Sequence, residues 1–113
     1  MTQNTAIDVS SIETLKGLMK DRFNFLIETF ITNCTQQLID LRTAISNSSH
    51  DEIIALTHAL KGSCGSVGAL CMHDLARDYE GKSRNNNFDD ADQWADLLDT
   101  ELERYKNDIQ AYL

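Results

Sequence analysis

The chain has 113 residues and a net charge of −8, from 10 Lys and Arg against 18 Asp and Glu. That balance excludes nucleic acid as the main partner, because phosphate binding needs a basic stripe. Hydrophobic residues make up 42%, which excludes a disordered chain. The most apolar run, Phe23 to Ile31, is broken by Asn24 and Glu28 and falls well short of the roughly 20 apolar residues of a membrane helix.

Residues 1–11 have neither a basic start nor an apolar core, so they do not read as a signal peptide. The 3 cysteines are an odd number without framework spacing and read as reduced thiols of a cytoplasmic protein. The length fits one domain over residues 1–113, too small for a self-sufficient kinase. No proline is present, so long helices can run unbroken.

Ser10 stands three residues before Glu13, a capping-box pattern that opens a short helix carrying Ile12, Leu15 and Met19. Lys20 and Asp21 break it, with Asp21 as cap of the next helix. Phe23, Ile27, Phe30, Cys34, Leu38, Leu41 and Ile45 then form one apolar stripe on a helix of about seven turns. The polar run 46–49 ends it. Ser49 and Glu52 repeat the capping-box pattern and start a third helix that reaches about Val67, with Gly68 at the break. A fourth helix covers about Leu70 to Lys82, with Met72, Leu75, Ala76 and Tyr79 inward. Asn85, Asn86 and Asn87 are a loop. Phe88, Ala91, Ala95, Leu98, Leu102, Tyr105, Ile109 and Tyr112 mark the last helix. No segment alternates with period two. The fold class is all-α, an antiparallel four-helix bundle with a short extra N-terminal helix. The carboxylates between Asp89 and Asp108 are a solvated face, since no Ca²⁺-loop spacing is present.

The third helix does more than pack. On a wheel of about 100° per residue, Ile53, Leu56, Leu60, Cys64 and Val67 gather on the core side. Ile54, His58, Lys61, Gly62 and Gly65 gather opposite, which makes His58 accessible and Ile54 an exposed apolar contact. Two interior glycines cost about 1 kcal/mol each relative to alanine, and their missing side chains clear space beside the imidazole. Lys61 can bring its ammonium to that space. A neutral imidazole is a nucleophile near neutrality, and a phosphoryl group on its outer nitrogen needs room and a nearby cation.

The string His58-Ala59-Leu60-Lys61-Gly62-Ser63-Cys64-Gly65-Ser66-Val67-Gly68-Ala69 resembles the signature of histidine-containing phosphotransfer (HPt) domains. That signature reads His, any residue, Leu, Lys, Gly, two small residues, two variable ones, an aliphatic residue, Gly and Ala. Every fixed position matches. Met72, Ala76, Tyr79 and Glu80 are similar to the family's following helix, and Phe30 with Leu41 to Ala44 to its preceding one. Cys64 and Tyr79 replace commoner small and aliphatic residues, and Cys64 is expected in the core without a catalytic role.

The resemblance implies a phosphorelay intermediate of a two-component system. His58 would accept a phosphoryl group from the aspartyl phosphate of a response-regulator receiver domain and pass it to another receiver. Lys61 would hold the phosphoryl oxygens and Gly62 would leave room for them. Mg²⁺ would come with the receiver, so no cofactor is expected on this chain. The implied partners are receivers and a hybrid sensor kinase, and the chain would be a carrier and not an enzyme. The starting Met1 and the end after a complete helix read as a free-standing chain, expected to be a monomer so that a receiver can reach His58.

Other polar residues are weighed beside these. His50 and His73 read as surface residues. Cys71 and His73 are too few for a zinc site, which needs about four ligands. Arg77, Lys82 and Arg84 are the main basic concentration, either a solvated helix end or a rim steering an acidic receiver pocket, with Ile54 and Gly65 as further contacts. Two alternatives stay open: a helical adaptor without covalent chemistry, and a degenerate histidine kinase dimerisation domain, which would need an ATP-binding domain downstream. A hydrolase lacks its base, triad or ligand set.

Overall fold

The computed structural model describes residues 6–113. Five α-helices follow one another: α1 (Val9–Met19), α2 (Phe23–Ser46), α3 (His50–Ser66), α4 (Leu70–Arg84) and α5 (Trp94–Ile109). Single 3₁₀ turns precede α2 and α5 and follow α5. There is no strand among the described residues. The four long helices form a helical bundle in which α3 lies against α2 and α4, and α5 closes against both α2 and α4. α1 is the short extra helix, packed against α2.

The apolar stripes face one another as the 3/4 spacing requires. Phe23, Ile27, Leu41, Leu60, Met72, Leu98, Tyr105 and Ile109 are fully buried. Phe30 meets the ring of Tyr105 edge-on at 5.3 Å, and the Tyr105 hydroxyl donates to the carbonyl of Val67 at 2.9 Å. Cys64 is buried in the core as expected.

Several expected details differ. The cap of α1 is Asp8, not Ser10: its carboxylate accepts from the Ser11 amide and hydroxyl, so Ser10 falls inside the first turn. Asp21 does not cap α2; it sits in the 3₁₀ turn Lys20–Arg22, whose first residue, Lys20, makes the break with a φ of 53°. Ser49 does precede α3 but makes no side-chain capping bond. Ile45 is half-buried, and Ala44 takes the core position at that end. On α3, Leu56 is half-buried and Thr57 is the buried neighbour, its hydroxyl returned to the Ile53 carbonyl at 2.8 Å. A hydroxyl satisfied by its own helix can enter a core. The last helix starts at Trp94, which is wholly buried and stacks on Tyr79 at 4.7 Å.

The turn between α3 and α4 holds the site's helix pair. Gly68 adopts φ 70°, while the Ala69 amide donates to Cys64 and the Gly68 amide to Gly65, a Schellman arrangement. The N-terminal segment seals it: Asp8 donates to the Gly68 carbonyl and Leu70 to that of Ala6.

Candidate functional site

His58 lies on the outer side of α3 facing α4, with 62% of its side chain exposed. Its Nδ1 is 2.9 Å from Oε2 of Glu80 on α4. An ionised carboxylate only accepts, so Nδ1 carries the proton and the lone pair lies on Nε2. No described residue bonds Nε2. The ring is therefore oriented from behind and presents its nucleophilic nitrogen outward.

Glu80 organises the rest. It is buried, only 5% exposed. Oε1 accepts from the Lys61 ammonium at 2.7 Å. Oε2 accepts from Nε and Nη2 of Arg84 at 2.9 and 2.7 Å as well as from His58. The Lys61 bond, with help from Arg84 and His58, holds the Glu80 carboxyl down at about 2 against the opposing effect of burial. One buried negative charge thus has two cations on it.

The glycines divide. A Cβ added at Gly62 would meet nothing within 4 Å, so the space beside the imidazole is open there. At Gly65 the same atom would lie 3.2 Å from Nδ1 of His73. Gly65 therefore serves the close approach of α3 and α4, not the space around His58. His73 itself is half-buried in that approach and donates from Nδ1 to the Lys61 carbonyl at 3.0 Å. This corrects its expected surface position. His50 is exposed and stacks on Phe88 at 3.9 Å.

Ile54 is half-buried, not exposed, so the apolar contact it offers is partial. The three basic residues of α4 separate. Arg84 turns inward onto Glu80. Arg77 is exposed and sits 3.5 Å from Asp74. Lys82 is held by Asp78 and Asp90 at 3.4 and 3.2 Å. The reason is helical phase: Arg77 and Arg84 are seven residues apart and share a face, while Lys82 projects elsewhere. Among the described residues no group of three or more His, Cys, Asp or Glu side chains could hold a metal ion.

Glu80 is the residue that sequence reasoning passed over as a site member. Its signal was present: a carboxylate four residues before Arg84 on the helix that follows the His58 motif. What was not visible was which side chains the returning helix brings against His58.

An outward-facing imidazole, braced by a buried carboxylate and flanked by an ammonium on a helix pair, is an arrangement that can take up a group covalently on the outer nitrogen. Residues 26–108 match the family model of the Hpt domain, and the chain belongs to that family. Hpt domains are histidine phosphotransfer carriers in phosphorelays, not kinases, and they interact with response-regulator receiver domains. The fold is similar to that of histidine-containing phosphotransfer protein B (HptB) from Pseudomonas aeruginosa PAO1, at 20% identity and a TM-score of 0.88, covering 98% of this chain and 100% of that one. No curated protein matches the chain. No helix among the described residues is long and apolar enough to cross a membrane.

Proposed function

We propose that His58 is the phosphoryl carrier, taking the group from the aspartyl phosphate of one receiver domain and passing it to an aspartate of another. The observation that supports this most is the His58–Glu80 hydrogen bond, which fixes the tautomer with Nε2 as nucleophile. Nε2 attacks phosphorus in line, the N–P bond forms, and the P–O bond to the receiver carboxylate breaks with its electron pair leaving on oxygen. Transfer of this kind has a loose transition state with charge spread over the phosphoryl oxygens, so position and positive charge matter most. Lys61, paired with Glu80 at 2.7 Å, would turn toward those oxygens, and the open side at Gly62 would admit them. The receiver supplies Mg²⁺ with its acidic pocket, so this chain needs no cofactor of its own. Ile54, Arg77 and Arg84 lie along α3 and α4 as contacts for the receiver, with Gly65 further along α3, where it lets α4 come close. Arg77, Lys82 and Arg84 each have a carboxylate partner, Asp74, Asp78 with Asp90, and Glu80, and together they would form the basic rim that steers an acidic receiver pocket. The chain would act as a cytoplasmic monomer, with a hybrid sensor kinase as one source of the phosphoryl group.

The test is transfer from a phosphorylated receiver to wild type and to His58→Gln, with the product treated with acid. Acid-labile label on wild type alone supports the carrier role. Equal labelling of both proteins overturns it. If neither takes label, Ile54→Asp abolishing receiver binding would instead favour an adaptor.

A further inference from the structure

The carboxylate behind His58 has a consequence for the phosphorylated state. When Nε2 takes a phosphoryl group while Nδ1 keeps its proton, the ring carries a positive charge. When the group leaves again, the N–P electron pair returns to Nε2 and the leaving group is neutral imidazole. If Nδ1 had lost its proton, the leaving group would be imidazolate, a far poorer one. Lability of the phosphohistidine therefore follows the Nδ1 proton, and Glu80 Oε2 is the acceptor that holds it.

Resting on the carrier reading of His58, we propose that Glu80 and Arg84 together set how long the phosphoryl group stays. Glu80 is the positioning residue that keeps the phosphorylated ring cationic. Arg84 opposes it, because two of its nitrogens bond the same Oε2 that faces Nδ1. Lys61, on the other oxygen, holds the carboxylate in place. The charged groups around the ring are thus Glu80 and Arg84 from α4 and Lys61 from α3 itself. Further along α4, His73 and Arg77 bond the Lys61 carbonyl and Asp74. From the α2 side, Asp40 lines the groove with Glu52 of α3, and neither bonds His58. Glu80 is buried whereas Arg84 is half-exposed, so an incoming partner with an acidic surface could draw Arg84 off Oε2 and leave the carboxylate to the ring.

The test separates this from receiver recognition. His58 is phosphorylated with phosphoramidate, a small-molecule donor that needs no receiver. Loss of phosphohistidine is then followed by ³¹P NMR from acid to alkaline pH for wild type, Glu80→Gln and Arg84→Gln. Glu80→Gln keeps the size and an oxygen acceptor but removes the charge. An opposite charge in contact favours an ionised form by at least about tenfold, so this variant should lose the group about tenfold more slowly at alkaline pH. Its loss profile should move to lower pH. Arg84→Gln should move it to higher pH. Coincident profiles for wild type and Glu80→Gln, or a shift of both variants in the same direction, overturn the proposal. If Glu80→Gln fails to fold, the direction of the Arg84→Gln shift decides, since that side chain is half-exposed. Separated profiles without any receiver transfer would remove the relay reading and keep this one. A folded protein that takes label from neither donor removes both.

Discussion

His58 and Glu80 are 22 residues apart in the chain and 2.9 Å apart in the fold. The contact joins an exposed imidazole to a buried carboxylate. Glu80 is out of water, so its charge is screened little, and a hydrogen bond to a buried ionised carboxylate is among the stronger kinds. The exposed imidazole is thereby held in one orientation.

Lys61 is expected to contribute through the phosphoryl oxygens. Lys61→Ala should slow acceptance from a phosphorylated receiver by about a hundredfold, the usual cost of removing one donor aimed at developing charge. Lys61→Arg should recover part of it. Single-turnover transfer measures this, and a rate equal to wild type would exclude the role.

Gly62 and Gly68 should respond oppositely to alanine. Gly62 lies inside α3 with open space around it, so Gly62→Ala should raise stability by about 1 kcal/mol through helix propensity. It should slow phosphoryl transfer at the same time, because the methyl enters the space beside His58. Gly68 has φ 70°, and an added Cβ would lie 2.9 Å from Cδ1 of Ile12. Gly68→Ala should therefore destabilise by about 1–3 kcal/mol, combining a left-handed conformation with a clash. Urea unfolding of both variants beside transfer assays checks the pair. Loss of stability in Gly62→Ala would contradict the open space.

Tyr79 is buried against Trp94, yet its hydroxyl has no hydrogen-bond partner among the described residues. Burial pushes the phenol up to about 12, with Asp78 and Asp90 adding to the effect. Tyr79→Phe keeps the stacked ring and removes the unpaired oxygen. It should gain about 1 kcal/mol, the lower end of the cost of an unsatisfied buried group. A fall in the urea midpoint would show that the hydroxyl is satisfied in solution.

Glu80 also links stability to pH. Its carboxyl titrates near 2 in the folded protein against an ordinary value of 4.5, so the ionised form favours folding. The contribution is complete above 4.5 and is lost as the pH falls through about 2. In Glu80→Gln that part of the pH dependence should vanish, so the stability gap between wild type and variant should narrow with acidification over this range. Chemical unfolding at several acidic pH values measures it. A gap that stays constant would mean the carboxylate gains nothing from Lys61 and Arg84.

The helices were legible in the sequence because their cause is local. Burying one face of a helix fixes a 3/4 apolar rhythm, and α2 and α5 carry that rhythm from Phe23 to Leu41 and from Ala95 to Ile109. The outward placement of His58, Lys61 and Gly62 followed from the same geometry, since they share a helix with the core positions Ile53, Leu60 and Cys64. Caps were less legible: Asp8 and Ser10 are both good capping residues, and only the path of the segment from Ala6 to Asp8 over the Gly68 turn chose between them. The tertiary structure alone decided what stands behind the histidine. Glu80, Arg84 and His73 reach α3 only because the chain reverses at Gly68, and no spacing within one helix can encode which side chains a neighbouring helix brings. The sequence determined an outward histidine on a helix face; the packing of α4 on α3 determined which of its nitrogens faces out and which charged groups stand behind it.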